Sequence, residues 1–434
     1  MLKKFDDSFL IGAATSAHQV EGNNVNSDFW VLENIPGSMF REPSLDAVDH
    51  YNRYREDVRL LAEAGLNAYR FSIEWARIEP SKGTFDKKEI EHYRDVLRCC
   101  HENKVTPIVT LHHFSSPKWL ISEGGWESET TIEYFGNYCR YVVSELGDLM
   151  PYICTINEAN MGLQIAKIMK EYKIHRGNAA DKKADDEEVQ VGLNTDMIDI
   201  QEKAQRYYKA AGEAFGVDPQ NVHVFLSPRT QKGDEIIMKC HERARRVIKE
   251  INPDIKVGVT LSLYDLQALP GGEEYVEKMM EEDFLHYLPY IQGDDFLGVQ
   301  NYTRKIYGPN GIVRPENARL TEMGYEFYPE ALAGVIRYVS RYWTKPIIVT
   351  ENGISTSNDK DRIEFIERAL KGLHQCIEDG INVIGYMHWS LLDNFEWQLS
   401  YTQKFGLIAV DRKTQTRYPK ESLTFLGNIK KYGL

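Results

Sequence analysis

The chain reads as a single (β/α)8 barrel with long loops at the C-terminal face of its strands. Three observations predict this. Eight short apolar runs of strand length alternate with longer amphipathic stretches, the pattern of parallel strands joined by right-handed helical crossovers. The length of 434 residues is compatible with the roughly 200 to more than 400 residues that such barrels span once their loops carry insertions. Polar or aromatic residues follow directly on most of the runs, and the strand ends of a barrel are where its site is built.

Taken in order, the first run is Phe9–Ala17, leading into His18-Gln19-Val20-Glu21. Lys3 and Lys4 ahead of it superficially resemble a secretory leader. Asp6 and Asp7 interrupt that pattern, and the apolar stretch is short and rich in Gly and Ala, so a first barrel strand is expected instead. Val48–Ala64 reads as a helix with Tyr51, Tyr54, Val58, Leu61 and Ala62 on one face. The second run, Ala68–Ile73, contains Arg70 and ends at Glu74-Trp75, and a helix is expected over Lys88–Glu102. The third, Val105–Leu111, ends at His112-His113-Phe114 and precedes a helix over Thr130–Gly147. The fourth, Tyr152–Asn157, ends at Glu158.

A charged insertion follows at about residues 165–206, with Asp181 to Glu188 at its middle. It reads either as a solvated surface excursion or as a flap over the mouth of the site, since loops on that face line it. A helix over Cys240–Ile251 leads to the fifth run, Val257–Leu263. The sixth run, Phe296–Asn301, is followed by Tyr302 and a helix over Glu330–Arg341. The seventh, Pro346–Thr350, ends at Glu351-Asn352 and precedes a helix over Arg362–Asp379. The eighth, Val383–Trp389, ends at Ser390. No repeat or linker divides the chain, so residues 1–434 are expected to form one domain.

Composition narrows the function. The 52 basic and 65 acidic side chains leave a formal net charge of −13, which argues against a nucleic-acid partner and against docking on anionic lipid. No apolar run reaches the roughly 18 residues of a membrane span. Six cysteines without a C-x-x-C pair point to reduced, buried thiols in the cytoplasm rather than a disulfide framework. The adjacent His112 and His113 match no metal-ligand spacing, and no Gly-rich phosphate loop is present, so neither metal nor cofactor is expected. A homo-oligomer is compatible with the sequence.

Two strings carry the chemistry: Thr155-Ile156-Asn157-Glu158-Ala159 and Val349-Thr350-Glu351-Asn352-Gly353. Each sets a glutamate just after a buried run. Two carboxyl groups flanking a glycosidic bond can cleave it, one as acid and base and the other as nucleophile when they stand about 5–5.5 Å apart. Runs four and seven end across the mouth of a closed barrel, which makes the pairing of Glu158 with Glu351 plausible. Asn157 is placed to meet a sugar 2-hydroxyl. Arg70 close to Glu351 keeps it ionised, and Tyr302 is placed to donate its hydroxyl to it. Glu158 then has to be protonated, with a pKa raised by burial and by its negative neighbour. For sugar binding, Gln19 and Glu396 each offer two polar atoms to neighbouring hydroxyls, and His113 adds a contact. Trp389 offers a stacking floor, and Trp397 and Phe405 a wall. Asp393 and Glu396 lie among aromatics and leucines, an expensive place for acids without partners.

With these residues in view, the chain resembles glycoside hydrolase family 1, the β-glucosidase family, over nearly its whole length. The motifs are F-L-I-G-A-A-T-S-A-H-Q-V-E-G from Phe9, Y-R-F-S-I-E-W-A-R-I-E-P from Tyr69, the His113 region and Gly124-Gly125-Trp126. The two glutamate strings, Asn301-Tyr302, H-W-S-L-L-D-N-F-E-W from His388 and F-G-L-I-A-V-D from Phe405 complete the set. The resemblance implies Glu158 as acid/base and Glu351 as nucleophile, with Arg70 and Tyr302 beside the nucleophile. It implies glycone contacts from Gln19, His113, Asn157, Glu396 and Trp397 over Trp389, and retaining double displacement of a small β-glycoside.

Three features depart from the family pattern. Ala159 stands where proline is usual, Phe114-Ser115 where Trp-Asp is usual, and Asn160 to Asn194 does not match the usual pattern of a short Gly-containing helix followed by a Pro-Gly turn. All three lie on the leaving-group side. Two other readings stand beside the glycosidase. One is a 6-phospho-β-glucosidase: Lys404 is present, but Glu396 replaces the usual serine and Phe405 a tyrosine. The other, of a different class, is a non-catalytic sugar-binding relative; such proteins usually lack one of the two glutamates.

Overall fold

The computed structural model describes residues 4–177, 190–194 and 201–433. Its main sheet consists of parallel strands in a ring, with helices outside. The strands are β1 (Leu10–Ala14), β2 (Ala68–Ser72), β3 (Thr106–His112), β4 (Tyr152–Ile156), β5 (Lys256–Gly258) and β6 (Thr260–Ser262). Outside the ring come β7 (Asp265–Ala268), β9 (Arg304–Gly308) and β10 (Gly311–Ile312), which form a small three-stranded sheet. β8 (Leu297–Gln300), β11 (Ile347–Asn352) and β12 (Val383–Trp389) complete the ring, and β13 (Ile408–Val410) with β14 (Arg417–Pro419) forms a hairpin. The order in the main sheet is β5-β4-β3-β2-β1-β12-β11-β8-β6.

All eight expected runs are barrel strands, and the fifth is broken in two. Its first half, β5, pairs with β4 through Gly258, and its second half, β6, pairs with β8 from Thr260. The covalent step at Val259 therefore closes the ring. Gly258 makes this approach sterically feasible, since a Cβ there would lie 2.3 Å from Phe296 O. The strands β7, β9, β10, β13 and β14 were not anticipated; their short, mixed sequences lack the apolar density of the barrel runs.

Alternation along each strand sorts the core into two layers. Leu10, Ala14, Ala68, Ile108, Cys154, Ile348 and Met387 form one buried cluster that continues into Tyr302, Trp389 and Phe405. Ile11, Ala13, Tyr69, Val109, Ile153 and Val349 belong to the larger layer beneath the helices. The helices follow the amphipathic stretches: His50–Glu63, Lys87–Glu102, Thr130–Leu146, Ala331–Val339 and Asp359–Glu378. The helix expected from Cys240 starts nine residues earlier, at Gln231, because Thr230 caps it by accepting the Gly233 N–H at 3.0 Å.

The charged run Asp181 to Glu188 lies outside the described residues. Of the insertion around it, a helix covers Met161–Gly177 and another Gln201–Phe215. Gln190, Val191 and Asn194 are buried, so residues 190–194 are packed against the barrel, whereas Lys170, Gln205 and Arg206 are exposed. All six cysteines are buried and free of disulfides. Among the described residues no helix is long and apolar enough to cross a membrane.

Candidate active site

The register of the ring brings the site together. Ala14 pairs with Arg70 on one side and with Trp389 on the other, and Glu351 pairs with Gln300. Arg70, within β2, is fully buried. Its Nη1 donates to Glu351 Oε1 at 2.6 Å and its Nη2 to Asn157 Oδ1 at 2.6 Å. Tyr302 donates its hydroxyl to Glu351 Oε2 at 2.6 Å. Gln300, the last residue of β8, divides its amide between Glu351 Oε1 and Asn157 Oδ1, each at 2.7 Å. Both oxygens of Glu351 are thus occupied by donors. Gln300 was missed in the sequence. Its signal was a polar side chain closing an apolar run at a strand end, the same signal that marks Glu351.

Glu158 is held differently. Its backbone lies in the left-handed region at φ +43°, a conformation a non-glycine residue adopts only when its surroundings hold it there. The hold comes from β6: Glu158 N–H donates to Thr260 Oγ1 at 2.8 Å and Ala159 N–H to Thr260 O at 3.0 Å. Proline at position 159 would lack the second donor, which Ala159 supplies. Glu158 Oε1 is buried and has no hydrogen-bond partner among the described residues.

The electrostatics separate the two acids. Burial pushes the pKa of Glu158 far above the usual carboxylate range, and the charges of Glu351 and Glu396 push the same way, against the Ser262 hydroxyl and Arg70. Burial also raises Glu351, but there Arg70 and the Tyr302 hydroxyl pull it back. The proton in this pair therefore belongs on Glu158. Glu396, also buried, is pushed up to about 8 by burial and by the Glu351 charge, against the Gly192 backbone and the Gln19 amide. Burial, Arg70 and His112 hold His113 well below its ordinary value. The imidazole is neutral, so its Nε2 accepts from Asn157 Nδ2 at 3.1 Å. That leaves Nδ1–H, buried without a partner among the described residues, as a donor for a ligand.

The remaining candidates line one face. His113 stacks near Trp389 at 5.7 Å and Trp397 at 6.1 Å. Trp397 is also stacked on His18, and Phe405 stands edge-on to Tyr302 at 6.1 Å. The amide of Gln19 is committed at both ends: Oε1 accepts from Ser16 Oγ at 2.6 Å and Nε2 donates to Phe395 O at 2.8 Å. It holds the turn carrying Glu396 more than it offers a free fork. Phe114 and Ser115, the second departure, turn inward: Phe114 packs on Phe225 and Ser115 donates to Glu74. Among the described residues no group of three or more His, Cys, Asp and Glu side chains is arranged to hold a metal.

Comparison with known proteins bears on the family and the fold. The model of glycosyl hydrolase family 1 matches residues 1–196 and 292–433. The chain is similar to beta-glycosidase BGL167, whose crystal structure is 44% identical with a TM-score of 0.87, over 98% of this chain and 97% of that one. It is similar to beta-glucosidase 1317, 40% identical with a TM-score of 0.87, over 98% and 99%. A 1,4-beta-D-glucan glucohydrolase of Thermotoga neapolitana is 28% identical over 99% of this chain and 98% of its own. A 6-phospho-beta-galactosidase of Clostridium acetobutylicum is 28% identical over 99% and 97%.

Proposed function

The chain belongs to glycosyl hydrolase family 1, and on that premise we propose that it is a retaining exo-β-glycosidase acting on terminal non-reducing β-D-glucosyl or β-D-galactosyl residues. The observation that carries this reading is the unequal pair of carboxyls: Glu351 gripped by Arg70, Gln300 and Tyr302, and Glu158 buried with one oxygen that has no partner among the described residues.

In this reading Glu351 attacks the anomeric carbon while Glu158 delivers its proton to the leaving oxygen. The product is a glycosyl ester on Glu351. Esterification removes the negative charge that raised Glu158, so its pKa falls and it can take a proton from the incoming water. Asn157, with Oδ1 fixed by Arg70 and Gln300, meets the 2-hydroxyl beside His113. Trp389 lies under the ring, and Glu396, on the turn that Gln19 holds, reads the far hydroxyls; Trp397 and Phe405 complete the wall. Residues 1–434 act as one catalytic domain on a small glycoside, without nucleic acid, membrane, metal or cofactor. The six buried thiols support a reducing compartment, the cytoplasm, and homo-oligomerisation is compatible with the reading.

A 6-phosphorylated substrate is disfavoured because Glu396 stands where the phospho-glycosidases of the family usually carry serine, and Phe405 where they carry tyrosine. A non-catalytic sugar-binding role is disfavoured because both glutamates are present. The test is a panel of chromogenic β-glucosides, β-galactosides and their 6-phosphates, with the anomer of the first product followed by NMR. Turnover of the unphosphorylated substrates with β product is expected. Folded protein that turns over none of them would sink the proposal, and turnover of the phosphates alone would replace it.

A further inference from the structure

The stretch Gln190–Asn194 belongs to the part of the insertion where the chain departs from its family, yet it is packed into the site. Gln190 is 6% exposed. Its Nε2 donates to Ser262 Oγ at 3.1 Å, and its Oε1 accepts the backbone N–H of Tyr302 at 2.7 Å. Ser262, at the end of β6, is fully buried. Its backbone is fixed on both sides: the Asn160 amide donates to Ser262 O at 2.8 Å and accepts its N–H at 3.0 Å, and Gln164 donates to the same carbonyl at 3.0 Å. Two residues along, Gly192 lies so close to Glu396 that a Cβ would stand 2.5 Å from its carbonyl oxygen.

We propose that Gln190 is a positioning residue that joins the two catalytic carboxyls. By donating to Ser262 Oγ it fixes the hydroxyl that favours the ionised form of Glu158. By accepting the Tyr302 N–H it fixes the residue whose hydroxyl holds Glu351 Oε2. One buried amide thus sets a partner of the proton donor and a partner of the nucleophile together. The inference rests on the assignment of Glu158 and Glu351 made above.

Four groups bear on the titration of Glu158. Glu351 and Glu396 favour its protonated form, while Arg70 and the Ser262 hydroxyl favour the ionised form. Losing the hydroxyl's donation raises the pKa of Glu158, so the alkaline limb of kcat/KM moves to higher pH.

The experiment measures kcat/KM against pH on a chromogenic β-glycoside for the intact wild type, Gln190→Met, Ser262→Ala and the double variant. Gln190→Met keeps the bulk and removes both bonds. Its kcat/KM should fall about tenfold, the equivalent of one net hydrogen bond, with the alkaline limb raised by about half a unit or more. Ser262→Ala should raise the same limb, and the double variant no further than either alone. An alkaline limb at the wild-type pH in Ser262→Ala and in Gln190→Met, with losses confined to melting temperature, overturns the inference. Ser262→Ala carries the test alone if Gln190→Met does not fold. A wild type without turnover overturns the underlying assignment and the inference with it, whereas an active wild type with unmoved limbs overturns only the role of Gln190.

Discussion

The two ends of the carboxyl pair are built by opposite means. Around Glu351, side chains from β2, β8 and the loop after β8 supply a guanidinium, an amide and a phenol to its two oxygens. Around Glu158, β6 supplies hydrogen bonds to the backbone instead, and one carboxyl oxygen is buried without a partner among the described residues. A charge that must persist in a dry site needs donors fixed before the reaction begins. A proton that must leave and return needs a carboxyl whose charged form is not over-stabilised. The segments differ in sequence as well: the family model covers β2, β8 and β11 but not residues 197–291, which include β6 and its Thr260 and Ser262.

Removing the gripped carboxyl should break the comparison most sharply. Glu351→Gln is expected to lose at least about 10⁴-fold in kcat, with azide restoring no product of retained configuration. Glu158→Ala should lose about 10³-fold on substrates with poor leaving groups. Azide should rescue it and yield a β-glycosyl azide, detectable by NMR; the reverse pattern of rescue would exchange the two roles.

Arg70→Met tests the grip itself and is expected to cost about 100-fold at neutral pH. With the guanidinium gone, the pKa of Glu351 rises, so the acid limb of kcat/KM should move to higher pH; an unmoved acid limb would remove Arg70 from this role. Gln300→Leu removes one donor among three and should cost about tenfold, read as a fall in kcat/KM on the same substrates.

The smallest effect concerns Glu396. Its folded pKa, about 8, lies above the ordinary 4.5. The folded protein therefore binds this proton more tightly than the unfolded chain does, and the resulting stability is complete below about pH 4.5 and is lost as pH rises towards 8. Glu396→Gln should flatten that part of the fall in melting temperature between those pH values; an unchanged slope would show that Glu396 does not titrate there.

Much of this arrangement was legible in the order of residues. The eight apolar runs became the eight barrel strands because fully buried parallel strands need continuous apolar sequence. Glu158, Glu351 and Arg70 stood out as polar groups in or just after those runs. Gln300, Thr260 and Ser262 carry the same mark, but each is a small or neutral residue that reads equally well as strand. Gln190 carried no mark, since the charged residues before it dominate any reading of composition.

Sequence by itself therefore determined the period of the fold, the strands that carry the two acids and the chemistry those acids can perform. Tertiary structure alone added Gln300 to the grip on Glu351 and Thr260 to the hold on the Glu158 backbone. The partners of Glu351 come from positions 70, 300 and 302 and that of the Glu158 backbone from 260, separations that only the closing of the ring converts into hydrogen bonds. The same closure removes water from both carboxyls, and burial makes each remaining donor or neighbouring charge count far more than it would in solvent.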